Sequence, residues 1–595
     1  MKLNRITIEQ GLFFLILLVA LGIRILRIGD VPLSDFEAEK ALQAFHVSRG
    51  ENTSLSSGPA YPMLTGATFF LLSDNNAYAR IWPILAGCCL VLFPYLIRSL
   101  IGRKAALIMA IGLALDPSLV AFSRIAGTEI MAVGFGVMAL GLAYNHKPIP
   151  AGIFGGLMIL SGSSALQGLL GFGFAWLIGD LLSKRDVLVP LPREEAIENN
   201  KRAIRSGLLA AGSVILVVGT LFFLFPEGLS ALTSILPAYF SGWTTFSGIT
   251  ASRLLVSLVF YNPIVLIFST LAIIQGWRRR EPVSQWFSLW AGASFTLVII
   301  YPGRDVIGLT WVLVPLWGLA AIEIARYFRV QGAELLPALG QALLILLLMA
   351  LGWLNLAGLN MSGGDSQAYQ LRWAVIGGTV VLGGVTTLLI GLGWSVKTAQ
   401  QGLMWGLLLG LGFYSISSMW GLSQLRPNGE QELYAPIPIA KNVGDLQATL
   451  GDLSEWRTGM RDTLDVVLTT SAPSLRWEMR NWSKARFLSA VPAGELPSII
   501  INREDQPEPN LSIGYRGQGF SWWAYPDWEG PLPENWPSWL VFRDAPLTNH
   551  NIILWARGDL FPGGVLGKEE ESTSDAGEDF PDEELPLNRI EEDSF

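Results

Sequence analysis

Apolar runs long enough to cross a bilayer recur from residue 11 to residue 420 and then stop. Read by hydropathy they fall at 11–28, 79–101, 104–121, 127–145, 149–163, 165–183, 206–226, 252–276, 285–301, 306–325, 336–357, 371–395 and 401–420, about thirteen spans. The fifth and sixth, around "GIFGGLMILSGSS", are short and glycine-rich, so one re-entrant unit competes with two crossings there. Past residue 425 the pattern changes. Between 430 and 560, β-rich segments such as "LDVVLTT", "PSIIIN" and "NIILWAR" alternate with a helical one, "VGDLQATLGDLSEW". The expected architecture is mainly α. A polytopic transmembrane helical bundle covers residues 1–425, with a first outer loop at 29–78. A small extracytoplasmic α/β domain follows at 426–565, and an acidic tail at 566–595.

Composition supports that division. Of the 595 residues 51% are hydrophobic and 15% charged, and the mean hydropathy of +0.43 lies outside the range of soluble enzymes. The net charge of −8 comes largely from the tail "KEEESTSDAGEDFPDEELPLNRIEEDSF", too acidic and too poor in aromatics to pack, which reads as disordered. Cys88 and Cys89 are adjacent within an apolar run, so they offer neither a disulfide framework nor a thiolate metal site. With "MKLNR" cytoplasmic, the inner loops hold roughly twice the Lys and Arg of the outer ones. The reading is a multi-pass protein of the plasma membrane with its C-terminal domain extracytoplasmic. On that topology Asp35, Arg124, Glu129 and Arg304 all lie on the extracytoplasmic side.

The candidate chemistry sits at the outer ends of the spans. In "VPLSDFEAEKALQAF", Ser34 followed three residues later by Glu37 fits a capping box, and Ala38, Ala41, Leu42 and Phe45 recur on one helical face. A surface helix accounts for all of these but not for Asp35. Positions two apart on a helix point about 200° away from each other, so Glu37 can start the helix while Asp35 faces a cavity. Asp116, Arg124 and Glu129 cluster in "DPSLVAFSRIAGTEIM", where ionisable groups at membrane depth are costly and face a bundle interior. For Arg124 snorkelling is the plain alternative, and for Glu129 a favourable helix N-terminus is. Arg304 beside Asp305 reads equally as a local ion pair, and Arg80 opens the second span. Convergence of Asp35, Glu37, Glu129, Arg80, Arg124 and Arg304 on one outward cavity is the expectation. The tryptophans of "FSWWAYPDWEGPLPENWPSWLVF" read as core, as interface anchors or as sugar-stacking rings.

These motifs, in this order, resemble the GT-C superfamily of membrane glycosyltransferases, in particular the protein O-mannosyltransferase and aminoarabinose transferase-like group (glycosyltransferase family 39-like). "IRILRIGDVPLSDFEAEKALQAF" is similar to that group's first outer loop, and "YARIWPILAGCCLVLFPYLI" to its second span. "ALDPSLVAFSRIAGTEIM" and "GRDVIGLTWVLVPLWGLAA" follow in register, so the resemblance covers residues 10 to 330. "SLRWEMRNWSKARF" and "NIILWARGDLF" look like the soluble part of a prokaryotic branch. The family has Asp and Glu adjacent, whereas Phe36 separates Asp35 from Glu37 here. If "FEAEKA" aligns with the usual "DEA", Phe36 stands where the acid is and only Glu37 is in register.

The resemblance implies transfer of a sugar from a polyprenyl-phosphate donor to a hydroxyl on a protein, lipid or glycan acceptor, with inversion. A phosphate leaving group needs positive charge more than an acid, which suits Arg80, Arg124 and Arg304. The acceptor hydroxyl needs a base: Asp35, with Glu37 as its nearest substitute, and Glu129 to orient the acceptor or bind a metal. A divalent cation held by carboxylates is an optional helper. Membrane lipids are partners and nucleic acid is not. A non-catalytic member of the fold that binds lipid-linked sugar is the first alternative, motivated by the split acidic pair. A secondary transporter is the second, weakened by the lack of an internal repeat and by charges that sit at span ends.

Overall fold

The computed structural model describes residues 7–561 apart from 57, 186–187, 189–196, 329–333, 363–365, 427–430, 435–438, 493, 508–512 and 529. The tail at 566–595 lies outside the described residues. Eight described helices are long and apolar enough to cross a membrane: Ile8–Ile25, Ser163–Lys184, Lys201–Gly219, Pro282–Ile300, Val306–Tyr327, Leu335–Gly358, Ser366–Gly393 and Val396–Leu422. Two more candidates are bent pairs, Arg103–Leu115 with Pro117–Ser123 and Ala251–Tyr261 with Pro263–Arg278. Three shorter apolar helices, Ile81–Leu96, Glu129–Tyr144 and Pro148–Leu160, complete the set. Each segment expected from hydropathy lies on one of these elements. The doubtful fifth and sixth are two separate helices, parted at Ser161 and Gly162, where Gly162 has φ +93°.

Both bends are written in the sequence. Proline at 117 and at 263 lacks the N–H that would continue the helix, so each chain breaks at the preceding residue, by 56° at Asp116 and 94° at Asn262. Backbone freed inside a membrane must be satisfied by neighbours. Asp116 does this by accepting from its own Leu119 N–H at 2.9 Å and from Trp317 Nε1 at 2.8 Å. With its amide nitrogen toward that carboxylate, Asn262 donates to Asp116 at 2.7 Å, so the two breaks support each other.

The helices pack closely where side chains are small. A Cβ on Gly134 would stand 2.2 Å from the backbone oxygen of Ala86 in the neighbouring helix, and no rotamer change relieves a clash with backbone. Gly134→Ala is therefore expected to destabilise the bundle by about 1–3 kcal/mol, checked by thermal unfolding in detergent. An unchanged melting temperature would show that these helices slide freely.

The chain divides into two compact units. The first holds residues 1–448 with 471–481 and 520–551; the second holds 449–470, 482–519 and 552–595. In the first unit, β1 (Ile439–Ala440) pairs antiparallel with residues 523–524 of β5 (Tyr515–Pro526). In the second, β2 (Val466–Leu468) lies between β3 (Ala485–Phe487) and β4 (Ile499–Arg503), parallel to both. Residues 552–556 of β6 (Leu547–Arg557) pair antiparallel with β4. The runs "VVL" and "III" are buried throughout, as expected of central strands. Trp522, Trp523 and Trp539 are core side chains of the first unit.

Candidate active site

The helix Asp35–Ser48 starts as its sequence dictates. Ser34 N and Oγ both donate to Glu37 Oε2 at 3.1 Å, and Glu37 N donates back to Ser34 Oγ at 3.4 Å, which closes the capping box. Glu37 then does more than cap. Arg80, in the break between helices Asn76–Ala79 and Ile81–Leu96, donates from Nε to Glu37 Oε1 at 2.7 Å and from Nη2 to Oε2 at 2.8 Å. Its other hydrogen bonds go to the carbonyls of Ile28, Val31 and Pro32. The Ala126 N–H donates to Glu37 Oε1 at 2.8 Å. Burial alone pushes the Glu37 carboxyl up, but the charge and hydrogen bonds of Arg80, with those backbone donors, hold it below the usual carboxylate range.

Arg124 caps carbonyls instead of facing the headgroups. Its Nη1 donates to Ile23 at 3.0 Å, Arg24 at 3.0 Å and Leu26 at 2.8 Å, at the C-terminal end of helix Ile8–Ile25. Ser34, Glu37, Arg80, Arg124, Glu432 and Tyr434 line one cavity of about 60 Å³. Ligand sites generally run to several hundred Å³, so this space suits water and not a sugar phosphate. Three of the six expected residues, Glu37, Arg80 and Arg124, thus meet around one cavity.

Asp35, Glu129 and Arg304 lie outside that cavity. Asp35 Oδ1 accepts from Ser474 N at 2.9 Å and Ser474 Oγ at 2.5 Å, and its Oδ2 accepts from Trp523 Nε1 at 2.8 Å. Arg304 donates to the carbonyls of Tyr301 at 2.9 Å and Ile249 at 3.5 Å, and sits 5.9 Å from the Phe246 ring centre. No ion pair joins it to Asp305 among the described residues.

A second cluster forms around Glu129. Lys40 Nζ donates to Glu129 Oε1 at 2.9 Å and stands 4.0 Å from the centre of the Phe36 ring. A side chain at Gly127 would meet Glu129 Oε2 at 2.7 Å and Lys40 Nζ at 3.6 Å, so the bare backbone there makes room for the pair. Both side chains keep contact with the outside, at 14% and 26% exposure. Asp305 shares their field: burial first, and then the charge of Glu129, push its carboxyl up to about 6, with Lys40 pulling the other way. Lys40 and Glu129 thus form a pair whose charges reach Asp305. Lys40 is absent from the residues singled out in the sequence. The available signal is its spacing, four residues after Phe36 and three after Glu37, on the face that turns inward.

This donor set does not fit a resident divalent cation. Calcium and magnesium take oxygen-rich sites, and here an ammonium already neutralises Glu129. Among the described residues no three His, Cys, Asp or Glu side chains converge.

No family model and no curated protein matches the sequence. Solved structures do match. The aminoarabinose transferase ArnT from Cupriavidus metallidurans in the apo state superposes over 92% of this chain and 98% of its own, with a TM-score of 0.52 at 13% identity. The fold is similar to that of ArnT. The same ArnT bound to undecaprenyl phosphate matches this chain over 83% of its length and 93% of the other, with a TM-score of 0.51 at 13% identity. The oligosaccharyltransferase of Archaeoglobus fulgidus overlaps 72% of this chain and 60% of its own at a TM-score of 0.36 and 14% identity, too loosely to carry weight.

Proposed function

We propose that this GT-C protein moves a sugar from a polyprenyl-phosphate-linked donor to an acceptor hydroxyl on the extracytoplasmic face, with inversion at the anomeric carbon. The observation that carries the proposal is the Lys40–Glu129 pair, partly exposed, with Asp305 within reach of both charges. The fold matches a transferase solved with undecaprenyl phosphate, a lipid of the proposed class. A carboxyl that titrates near 6 is poised to accept a proton at neutral pH. Asp305 is the base, Glu129 orients the acceptor hydroxyl, and Lys40 and Arg304 face the charge that develops on the leaving phosphate. The bond from acceptor oxygen to anomeric carbon forms as the bond from that carbon to the phosphate oxygen breaks. The electron pair leaves with the polyprenyl phosphate, and the hydroxyl proton passes to Asp305.

The test is release of polyprenyl phosphate by the purified protein in vesicles, from a panel of polyprenyl-phosphate hexoses and pentoses with hydroxyl-bearing acceptors. Acceptor-dependent release is expected. Donor binding without release across the panel would overturn the reaction. It would favour the second reading, a non-catalytic protein that holds lipid-linked sugar. One observation points that way: the oxygens of Asp35 and Glu37, the acidic pair of the motif, are already taken by protein donors.

The pH profile tests the base separately. Asp305 accepts a proton only when ionised, so turnover is expected to rise through pH about 6. Glu129→Gln removes the charge that lifts Asp305 and frees Lys40, so the acid limb moves to lower pH. A limb that stays in place would exclude Asp305 as the group it reports.

A further inference from the structure

The first-turn carboxylate of helix Asp35–Ser48 has a different job from its neighbours. Ser474, which supplies two of its three donors, opens the short helix Pro473–Glu478, and Trp523, which supplies the third, lies on β5. Trp522 Nε1 donates to the same Ser474 Oγ at 3.0 Å, so the serine, the two tryptophans and Asp35 form one closed set. All four belong to the first compact unit.

The rest of segment 471–481 is fastened to the same part of the chain. Trp477 is fully buried, with its ring against those of Phe45 and Phe69, and its Nε1 donates to Asn76 Oδ1 at 2.8 Å. Arg480 stacks over Trp477 at 3.8 Å and donates to the Asp74 backbone oxygen at 2.6 Å. Segment 471–481 thus grips the 29–78 segment at its far end through Asp74 and Asn76, and at its helical start through Asp35. The residues that follow Asp35 are Phe36, Glu37 and Lys40. One turn of helix separates the grip from the ammonium of the proposed site.

We propose that Asp35 is a positioning residue: through Ser474 and Trp523 it ties the start of helix Asp35–Ser48 to segment 471–481 and so fixes where Lys40 stands. A base must keep a lone pair for the acceptor's proton, and three of the four lone-pair sites on the Asp35 carboxylate already face donors. An anchor needs the opposite, and here it has three partners from two chain segments remote in sequence. The proposal rests on the transfer reading for its kinetic consequences, but the grip itself does not depend on any activity.

The experiment is a double-mutant cycle on the full-length protein: Asp35→Asn, Trp523→Phe and the two combined, each read by thermal unfolding and by transfer kinetics. Asparagine turns amide hydrogens toward one of the donors from which the Asp35 carboxylate accepts, and phenylalanine deletes the indole donor while keeping most of the ring. If Asp35 is an anchor, both single variants lower the melting temperature, and the double variant is no worse than the worse single. Turnover falls about ten- to a hundredfold in each, as expected for a misplaced group, the acid limb near pH 6 persists, and Asp35→Glu restores part of the loss. The proposal is overturned if Asp35→Asn leaves the melting temperature unchanged, or if it removes the acid limb while Trp523→Phe is silent. A wild-type protein without transfer activity would sink the proposed reaction alone, since the unfolding cycle would still report the grip.

Discussion

Asp305→Asn is expected to cut sugar transfer by about 10²–10⁴-fold, the range a positioned general base supplies, while donor binding changes little. The same substitution is expected to raise stability. The folded carboxyl is lifted from 3.8 to about 6 by burial and by Glu129, so its ionised form is costlier in the folded protein than in the unfolded one. That cost is absent below the unfolded value, grows as pH rises from 3.8 to about 6, and is complete above it. At pH 8 the asparagine variant should therefore be more stable by on the order of 3 kcal/mol, and at pH 3 it should match the wild type. Activity lost and stability gained together mark a carboxylate kept for chemistry. Thermal unfolding at the two pH values, beside release of polyprenyl phosphate, checks both. Full transfer by the variant would remove Asp305 from the mechanism, and lower stability at pH 8 would show a structural carboxylate.

How far the sequence reaches can be seen in single residues. The spans are legible because a bilayer demands long apolar helices; their two bends, at Pro117 and Pro263, fall inside the spans 104–121 and 252–276 that hydropathy reads as continuous. The capping box of Ser34 and Glu37 was legible because it closes within one turn. What a carboxylate meets across the fold was not. Asp35 and Glu37 look alike in the sequence, yet one is bound by Ser474 and Trp523 and the other by Arg80, and only the folded chain distinguishes them. Arg80, Arg124 and Arg304 were grouped as phosphate ligands by charge alone. In the fold Arg80 is saturated, Arg124 caps a helix end, and Arg304 stands apart from both. Lys40 escaped notice because a lysine within a surface-looking helix carries no motif. Its role appears once Glu129, 89 residues away in sequence, is brought to 2.9 Å.

Arg80→Met is expected to be the most destabilising single change in this region, by about 3–5 kcal/mol, since it strands a buried carboxylate. Glu37 is 4% exposed and Arg80 2%, so bulk solvent does not replace the lost partner. The loss reaches further than the pair. Arg80 makes five hydrogen bonds, three of them to the carbonyls of Ile28, Val31 and Pro32, and these hold the turn that leads out of helix Ile8–Ile25. Arg80→Lys should recover little, because a single ammonium cannot reach both carboxylate oxygens and three carbonyls from one position. Arg80→Met combined with Glu37→Gln should recover more, since the glutamine removes the stranded charge while its oxygen still accepts the Ala126 N–H. The pH dependence carries the sign of the pair. Glu37 is held below its usual range, so the stability it contributes is present above the unfolded value of 4.5 and is lost as pH falls through the lower folded value. The wild type should therefore lose stability on acidification more steeply than Glu37→Gln. Unfolding of the five proteins in detergent between pH 4 and pH 8 measures all of this, and equal stability of Arg80→Met and wild type would mean that the first loop is held by something other than this clamp.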